Sequence, residues 1–456
     1  IVFGDWSSDV CSSDLIPDHE LVALQHNLVL SHACGVGQPI PEPIVRAVLL
    51  LKINSLCTGY SGVRPLVVDY LLQLLNNDVL PVIPCKGSVG ASGDLAPLAH
   101  MTLVLLGLGE AMVQGERLSG REALRHLKIP PLTLAAKEGL ALLNGTQVLT
   151  AYAAFALSRA LRLAKLADIA AAITVESLLN TQVAYDERIQ KARGHWGQIH
   201  VAANMRKLLA ASEIMESHKE CGKVQDAYSS RCIPQVHGAV RQALRFVDES
   251  VSTELNGCSD NPLVFMNENE VLSGGNFHGQ PISLACDTMT MAVAQLANIS
   301  ERRLENLMDP VQSGLPPFLA LESGTNSGYM IAQVTAAALV AENKVLSHPA
   351  SVDSIPTSAN QEDFVSMGTH ASRKALEVVQ NGETIIAIEL LAGCQATDLR
   401  GDLCSGTGTG AAYRLIRQHI PGMEQDRLLH LDIEHMVRLI QSDAIVAAAE
   451  TAVGTL

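Results

Sequence analysis

The sequence predicts a mainly α-helical protein: a large bundle of long helices with a smaller head of short helices, loops and hairpins. Two observations support this prediction. Helical periodicity persists through five long stretches, namely 147–180, 280–308, 328–347, 372–396 and 425–450. Some of these stretches, such as 330–339, are apolar on nearly every side, and a helix without a polar face must be surrounded by other helices.

The head is predicted from cap residues, prolines and glycines. Its first helix starts where Asp18 can cap it and ends near His32. Further helices are expected at 43–56, 65–76 and 94–106. A loop that cannot be regular helix is marked by Pro81, Pro84, Gly87, Gly90 and Gly93. Turn residues between short apolar runs predict small hairpins at 111–118 and 263–272.

Composition limits the classes of function. The chain has 456 residues and a formal net charge of −15, and this acidity argues against a nucleic-acid partner. A hydrophobic share of 48% is too high for a disordered chain. No uncharged apolar run reaches the roughly 18 residues of a membrane span, and no CxxC pair occurs. We therefore expect a cytoplasmic protein with reduced cysteines and no membrane partner.

Three sections are expected along the chain. Residues 1–15 repeat Ser-Ser-Asp without helical periodicity, which indicates a non-native or disordered leader. Residues 16–143 are expected to form the N-terminal part that bears the glycine-rich loop. Residues 144–456 would form the long-helix bundle, including the C-terminal helices.

The most specific segment is GSVGASGDLAPLAH, residues 87–100. It is not a P-loop, because no Gly-Lys-Ser/Thr follows its second glycine. A nucleophile elbow requires G-x-S-x-G, and Asp94 stands where the last glycine belongs. Two other interpretations stay open on these residues alone: a plain structural turn, and a serine hydrolase that uses Ser92 directly.

This segment resembles the signature of the aromatic amino acid lyases. Further blocks similar to that family follow in the family's order, at 135–147, 273–278, 326–338 and 357–363. The resemblance runs from residue 16 almost to the C-terminus and is nearest to the histidine-specific members. It implies elimination of ammonia from L-histidine to give trans-urocanate, the first step of histidine degradation. It also implies a homotetramer whose active sites draw on three subunits.

The same resemblance implies a cofactor made from the chain itself. Ala91, Ser92 and Gly93 would cyclise with loss of two waters to 4-methylideneimidazole-5-one (MIO), an electrophilic alkene conjugated to a carbonyl. Gly93 has no side chain, so its amide nitrogen can approach the Ala91 carbonyl closely. No dissociable cofactor and no metal are expected. The spacing of His195 and His200 places them on different faces of a helix, so they are not expected to bind a metal together.

The remaining site residues are carried over by position. Asn144 and Tyr228 match positions that surround the electrophile, where hydrogen-bond donors would stabilise developing charge. Arg231 matches the arginine that binds the substrate carboxylate, to which a guanidinium can pair with two hydrogen bonds. Gln225 and Phe277 match further substrate-binding positions, with Phe277 beside the electrophile.

Specificity for histidine depends on two residues in this resemblance. Ser31-His32 falls where phenylalanine-specific relatives have a bulky apolar pair, and His32 is expected to hydrogen-bond an imidazole. Glu362 matches the acidic residue of histidine-specific members, and it could accept an imidazole N–H or act as a base. The site that holds His32 and Ser92 is expected to receive residues from other chains, namely Tyr228, Phe277, Arg231 and Glu362.

The chain departs from the family pattern in three places. Ala227 stands where a proline is common and Ser230 where a leucine is, which bears on loop rigidity. Upstream of the segment equivalent to residues 16–30, the family carries a loop whose tyrosine is the expected β-proton base. Residues 1–15 contain no tyrosine, and Tyr60 belongs to another family segment. An N-terminally truncated chain is therefore expected. The alternatives are a tyrosine or phenylalanine lyase or aminomutase of the same fold, and an inactive helical scaffold.

Overall fold

A computed structural model describes residues 17–219 and 224–456, and the predicted mainly α-helical class is confirmed. These residues form two compact units. The first unit contains the described residues through Phe155 together with Asp248–Asp287 and Pro349–Lys374. The second contains Ala156–Val247, Thr288–His348 and Ala375–Leu456. The units alternate along the chain, whereas the sequence predicts a single division after residue 143. The predicted leader lies outside the described residues.

Six short helices belong to the first unit. They are α1 (Leu21–His32), α2 (Glu42–Cys57), α3 (Pro65–Asn76), α4 (Leu95–Leu105), α5 (Gly120–His126) and α6 (Glu138–Leu143). A 3-10 turn at Asp18–Glu20 precedes α1, and another lies at Ser358–Asn360. Prolines at the start of α2 and α3 set these helices' first turns, because proline suits a position that needs no N–H donor. The predicted bounds of α1 to α4 are met within one or two residues, and α5 and α6 are additional.

All seven described strands also belong to this unit. They are β1 (Val36–Pro39), β2 (Val79–Pro81), β3 (Pro84–Lys86), β4 (Glu110–Val113), β5 (Glu116–Ser119), β6 (Leu263–Phe265) and β7 (Glu270–Leu272). Every pairing is antiparallel: β1 with β3, β2 with β4, β4 with β5, and β6 with β7. Both predicted hairpins are confirmed. The β1–β3 and β2–β4 pairings are additional, and they flank the predicted loop.

Four long helices contribute residues to both units. They are α7 (Gln147–Ser177), α12 (Ile233–Leu255), α13 (Gln280–Met308) and α16 (Gly368–Asp398). The alanines at 170–172 of α7 are fully buried, as expected for closely packed helices. By length and a mean hydropathy of 1.2, α13 could cross a membrane, but 72% of its apolar stretch is buried inside the protein, as in the core helix of a soluble protein.

The remaining helices belong to the second unit. They are α8 (Glu187–Arg193), α9 (Trp196–Leu208), α10 (Glu213–Glu216), α11 (Tyr228–Arg231), α14 (Pro310–Ser313), α15 (Met330–Leu346), α17 (Thr407–His419), α18 (Leu429–Gln441) and α19 (Ala444–Val453). Two 3-10 turns, Val183–Tyr185 and Pro317–Leu319, complete the unit.

One sequence prediction for this unit is wrong. The single helix expected at 425–450 is two helices, because Asp443 takes the left-handed conformation (φ +62°) and interrupts the hydrogen-bond ladder between α18 and α19. The apolar stretch expected at 328–347 is α15, and the expectation that such helices are buried with help from neighbouring subunits stays a prediction. Within one chain the apolar side of α15 is open to solvent, and Ile331, Val334 and Val345 are 60%, 51% and 76% exposed.

Candidate active site

The loop between β3 and α4 buries the tripeptide Ala91-Ser92-Gly93 in the first unit. Gly93 adopts φ +75°, a conformation that residues with a side chain rarely take. A Cβ on Gly93 would lie 2.1 Å from the carbonyl oxygen of Gly145. Only a glycine can therefore occupy this position, and its backbone lies directly against the segment that follows Asn144.

Asp94 fixes the C-terminal side of the tripeptide. Its Oδ2 accepts hydrogen bonds from the backbone N–H groups of Val148 and Leu149, at 2.9 and 2.8 Å, in the first turn of α7. Its Oδ1 accepts from the hydroxyls of Ser88 (3.0 Å) and Thr369 (2.5 Å). Complete burial raises the pKa of Asp94, and these hydrogen bonds oppose that rise. The carboxyl group thus joins the loop to the start of two long helices.

Backbone contacts fix the N-terminal side of the loop. The Gly90 carbonyl accepts hydrogen bonds from the Ser366 hydroxyl (2.8 Å) and from the Gly279 N–H (3.3 Å). Phe277 is half-buried and lies two residues before Gly279. The structure therefore brings the turn that carries Phe277 to this loop within a single chain, whereas the resemblance assigns Phe277 to another chain.

Glu362 contacts the tripeptide directly. The Ser92 hydroxyl donates to Glu362 Oε1 at 2.7 Å. The hydroxyls of Thr357 and Ser358 donate to Oε2 at 2.7 and 2.9 Å, so both carboxylate oxygens are held. This contact also lies within one chain, in contrast to the expectation that Glu362 comes from a neighbouring subunit.

Asn144 is buried beside the same loop. Its Nδ2 donates to the Asn261 carbonyl (3.0 Å) and to Asp260 (3.2 Å), and its Oδ1 has no hydrogen-bond partner among the described residues. Lys137 forms a buried ion pair with Asp260 at 2.7 Å. The ammonium of Lys52 donates to the Asn144 carbonyl at 2.6 Å, and burial lowers the pKa of Lys52 to about 8.

His32 ends α1. Its Nδ1 lies 2.7 Å from the Leu28 carbonyl, which can only accept, so Nδ1 carries a proton. Three residues later, the Gly35 N–H donates to Nε2 of His100 at 3.1 Å. Half-burial lowers the pKa of His100, which favours this neutral acceptor. The last residue of the 87–100 segment thus fixes the chain that follows His32.

The other three predicted site residues belong to the second unit. Tyr228 begins the one-turn helix α11, and its side chain is 73% exposed. Arg231 ends that helix and is half-buried, while Gln225 is exposed just before it. Within this unit the structure brings Gln225, Tyr228 and Arg231 together on one short segment.

Across residues 17–219 and 224–456, no group of three or more His, Cys, Asp or Glu residues is arranged to hold a metal ion. Tyr60 packs its ring against Phe265 of the β6–β7 hairpin, with ring centroids 5.4 Å apart.

Comparison with known proteins identifies the family. The sequence model described as aromatic amino acid lyase matches residues 7–418. The chain belongs to the aromatic amino acid lyase family. A histidine ammonia-lyase from Alkaliphilus oremlandii is 51% identical over 451 residues, which is 99% of this chain and 88% of the relative.

Solved structures of family members agree with this assignment. A histidine ammonia-lyase from Trypanosoma cruzi superimposes with a TM-score of 0.90 at 44% identity, covering 96% of this chain and 84% of that one. A tyrosine aminomutase from Streptomyces globisporus reaches the same TM-score at 37% identity, covering 97% and 88%. As a member of this family, the protein is a carbon–nitrogen lyase, and the scaffold and serine-hydrolase alternatives are not favoured.

The sequence did not predict a role for several residues that surround the tripeptide loop. Asp94 directly follows the tripeptide, and this adjacency could have pointed to it. Lys52 and Lys137 lie within largely apolar segments, where a buried lysine indicates a specific partner. No local signal points to Asp260, because its partners are more than a hundred residues away.

Proposed function

We propose that this protein is a histidine ammonia-lyase, which eliminates ammonia from L-histidine to give trans-urocanate in the first step of histidine degradation. The observation that carries the proposal is the contact between Ser92 and Glu362 in the buried tripeptide loop. It joins the segment typical of the whole family to the acidic residue typical of its histidine-specific members. The 51% identity to a histidine ammonia-lyase supports the same substrate.

The residues of the loop fit the MIO group. Gly93 has no room for a side chain, and Ala91 and Ser92 are buried away from competing water. The unpartnered Oδ1 of Asn144 is a buried polar atom that a ligand or substrate would satisfy. When formed from Ala91, Ser92 and Gly93, MIO supplies an electrophile that can take the substrate amine and turn it into a better leaving group.

The other site residues bind and orient the substrate. Arg231 would bind the carboxylate with its guanidinium, and Gln225 would donate a further hydrogen bond beside it. Tyr228 and Asn144 would supply polar groups around the reacting atoms, and Phe277 would pack beside them. Holding the substrate in one orientation lowers the barrier before any bond changes.

His32 and Glu362 would recognise the imidazole. With Nδ1 donating to the Leu28 carbonyl, His32 would accept one substrate N–H at Nε2. Glu362 is an acceptor held by two hydroxyl groups, so it can receive an imidazole N–H or the β-proton without changing position. A tyrosine or phenylalanine ring would offer neither acceptor a ring N–H. This difference favours histidine over the tyrosine lyase or aminomutase alternative.

We also propose a cytoplasmic homotetramer with active sites shared between subunits, and neither a nucleic-acid nor a membrane partner. The exposed apolar side of α15 supports an interface with further copies of the chain, because exposed apolar patches of this kind mark interaction sites. The exposed Tyr228 fits a role in the site of a neighbouring subunit. The net charge of −15 supports the absence of nucleic acid.

Two measurements on the purified protein test the proposal. Incubation with L-histidine is expected to release ammonia and an ultraviolet-absorbing urocanate, with much less product from L-tyrosine or L-phenylalanine. The intact mass is expected to be lower than the sequence mass by two water molecules, and Ser92→Ala should abolish both the deficit and the activity. An unmodified wild-type mass, or preferred turnover of tyrosine, would contradict the proposal.

A further inference from the structure

The one-turn helix that carries Tyr228 and Arg231 accepts hydrogen bonds from side chains that have no part in the proposed reaction. We call residues 227–232 the Tyr228 turn. Ser230 is its most buried residue, and it accepts two hydrogen bonds. The side-chain amide of Asn180 donates to the Ser230 hydroxyl at 2.7 Å, and the Tyr185 hydroxyl donates to the Ser230 carbonyl at 2.9 Å.

Asn180 is itself fixed before it reaches the Tyr228 turn. Its backbone N–H donates to the Val175 carbonyl at 3.1 Å, which ties it to the end of α7. Its carbonyl lies 3.2 Å from Nε2 of His218. The Asn180 side chain is therefore buried on a rigid backbone, and its amide points in a direction set by α7 rather than by the turn.

A second set of contacts attaches the Tyr228 turn to α13. Asn306 donates to the Ser229 hydroxyl at 3.0 Å, and Arg303 donates to the Ser229 carbonyl at 3.4 Å. Arg303 is completely buried and forms a two-point ion pair with Glu389 at 2.6 and 2.9 Å. A charged pair with both partners fixed has little freedom to move. Ser229 is thus anchored to α13, and Ser230 is anchored to the segment that follows α7.

The family resemblance leads us to expect a leucine where this chain has Ser230. A buried leucine would hold the turn by apolar contact area, and serine buries far less of it. A buried hydroxyl instead needs a hydrogen-bond partner, because an unmet polar group is costly to keep from water. Asn180 supplies that partner. In this chain a hydrogen bond replaces the apolar contact expected at position 230.

We propose that Asn180 is a positioning residue for the lyase reaction: through Ser230 it fixes the turn that presents Tyr228 and Arg231 to the substrate. This inference rests on the function proposed above. The pair acts through the turn and touches no reacting atom. A small displacement of Arg231 would weaken carboxylate binding and raise KM, and a displacement of Tyr228 would lower kcat.

A double-mutant cycle tests this proposal. The variants are Asn180→Ala, Ser230→Ala and the double variant, with Asn204→Ala as the matched control. Asn204 is equally buried in the same unit but donates to Asp168 at 3.0 Å instead of to the turn. Asn180→Ala is expected to raise KM for L-histidine about tenfold and to lower kcat. Asn204→Ala is expected to lower Tm without changing KM.

The double variant separates positioning from a general loss of packing. If the two residues act as one unit, the double variant is expected to be no worse than the more damaged single variant. Losses in KM and kcat that multiply would overturn the proposal. So would an Asn180→Ala protein that keeps both wild-type constants, or an Asn204→Ala protein with an equal rise in KM.

Hydrogen exchange provides a readout that does not depend on turnover. Backbone amides of residues 226–232 are expected to exchange faster in Asn180→Ala than in the wild type, and at the wild-type rate in Asn204→Ala. Unchanged exchange in Asn180→Ala would overturn the positioning role. A wild-type protein that forms no urocanate would contradict the proposed function, and the exchange comparison would still decide whether Asn180 holds the turn.

Discussion

The hydroxyl of Ser92 lies 2.7 Å from the carboxylate of Glu362, although the two residues are 270 positions apart in the sequence. The contact unites a residue expected to become part of the electrophile with a residue expected to recognise the substrate ring. Thr357 and Ser358 hold the second carboxylate oxygen, so the group is oriented before substrate arrives.

Glu362→Gln is expected to lower kcat/KM for L-histidine by about 10²-fold or more, the usual contribution of a positioned acid–base group. The amide retains one acceptor oxygen, but its NH₂ group cannot accept from the Thr357 and Ser358 hydroxyls that hold Oε2. Steady-state kinetics measures the loss. Asp363→Asn makes the same change of charge at the neighbouring exposed position and is expected to retain activity. Equal losses in both variants would rule out a specific role for Glu362.

His32→Leu is expected to reduce kcat/KM for L-histidine by roughly 10- to 100-fold, the effect of one lost hydrogen bond to a buried polar group. Turnover of L-phenylalanine should not fall, because a phenyl ring makes no such bond. The ratio of kcat/KM for the two substrates measures the change. His26→Leu removes an exposed histidine from the same helix and is the control. A parallel fall for both substrates would contradict a role in specificity.

The buried Lys52 is expected to make the folding stability of the protein depend on pH. Burial lowers its pKa to about 8 from a reference value of 10.5, so between these values the unfolded chain binds more protons than the folded one. The contribution of Lys52 to the free energy of unfolding therefore rises with pH across that window, by at most roughly 3 kcal/mol. Below about pH 8 the charged Lys52 destabilises the folded protein by this full amount. The Tm of the wild type, relative to Lys52→Met, is expected to increase from pH 8 to pH 10.

The control for this prediction is Lys128→Met, which removes an exposed lysine. Thermal unfolding of all three proteins at one protein concentration provides the comparison. A constant Tm difference between the wild type and Lys52→Met over this pH range would show that burial does not disfavour the Lys52 charge.

Gly145→Ala is expected to lower Tm and to abolish most activity. An added Cβ would lie 2.8 Å from the Ser259 carbonyl, and Gly145 has φ +116°. Gly115→Ala also places a side chain at positive φ (+84°), but there a Cβ meets nothing within 4 Å. The control should show only the backbone cost of about 1 kcal/mol. Similar Tm values for the two variants would mean that the close contact at Gly145 is readily relieved.

Much of the fold follows from local sequence signals. Helix α3 begins and ends at the predicted residues, because Pro65 sets its first turn and Asn77 caps its C-terminal end. The break at Asp443 is missed because residues on both sides of it keep a helical pattern, and one aspartate in the left-handed conformation leaves little trace in that pattern. Strands β1 and β3 are too short, and too rich in proline, for an alternating pattern to be detected.

The site is predictable only where a family motif covers it. The tripeptide and Arg231 are assigned through the family resemblance, since each lies within a distinctive segment, and their roles stay predictions. The contacts of Asp94 with Thr369 and of Asn144 with Asp260 cannot be predicted, because they join residues 275 and 116 positions apart. The Asn180–Ser230 pair is partly predictable. The motif marks Ser230 as unusual, but only the fold identifies Asn180 as its partner.

The tripeptide loop forms hydrogen bonds with residues that are added to the chain much later in translation. Glu362, Ser366 and Thr369 all bond to the loop from 270 to 276 positions downstream. A nascent chain that stops before residue 362 has residues 91–93 but none of these three partners. Ring closure at Ser92 is therefore expected to follow the synthesis of residue 369, and chains truncated before residue 362 should lack the ultraviolet signature of the mature enzyme.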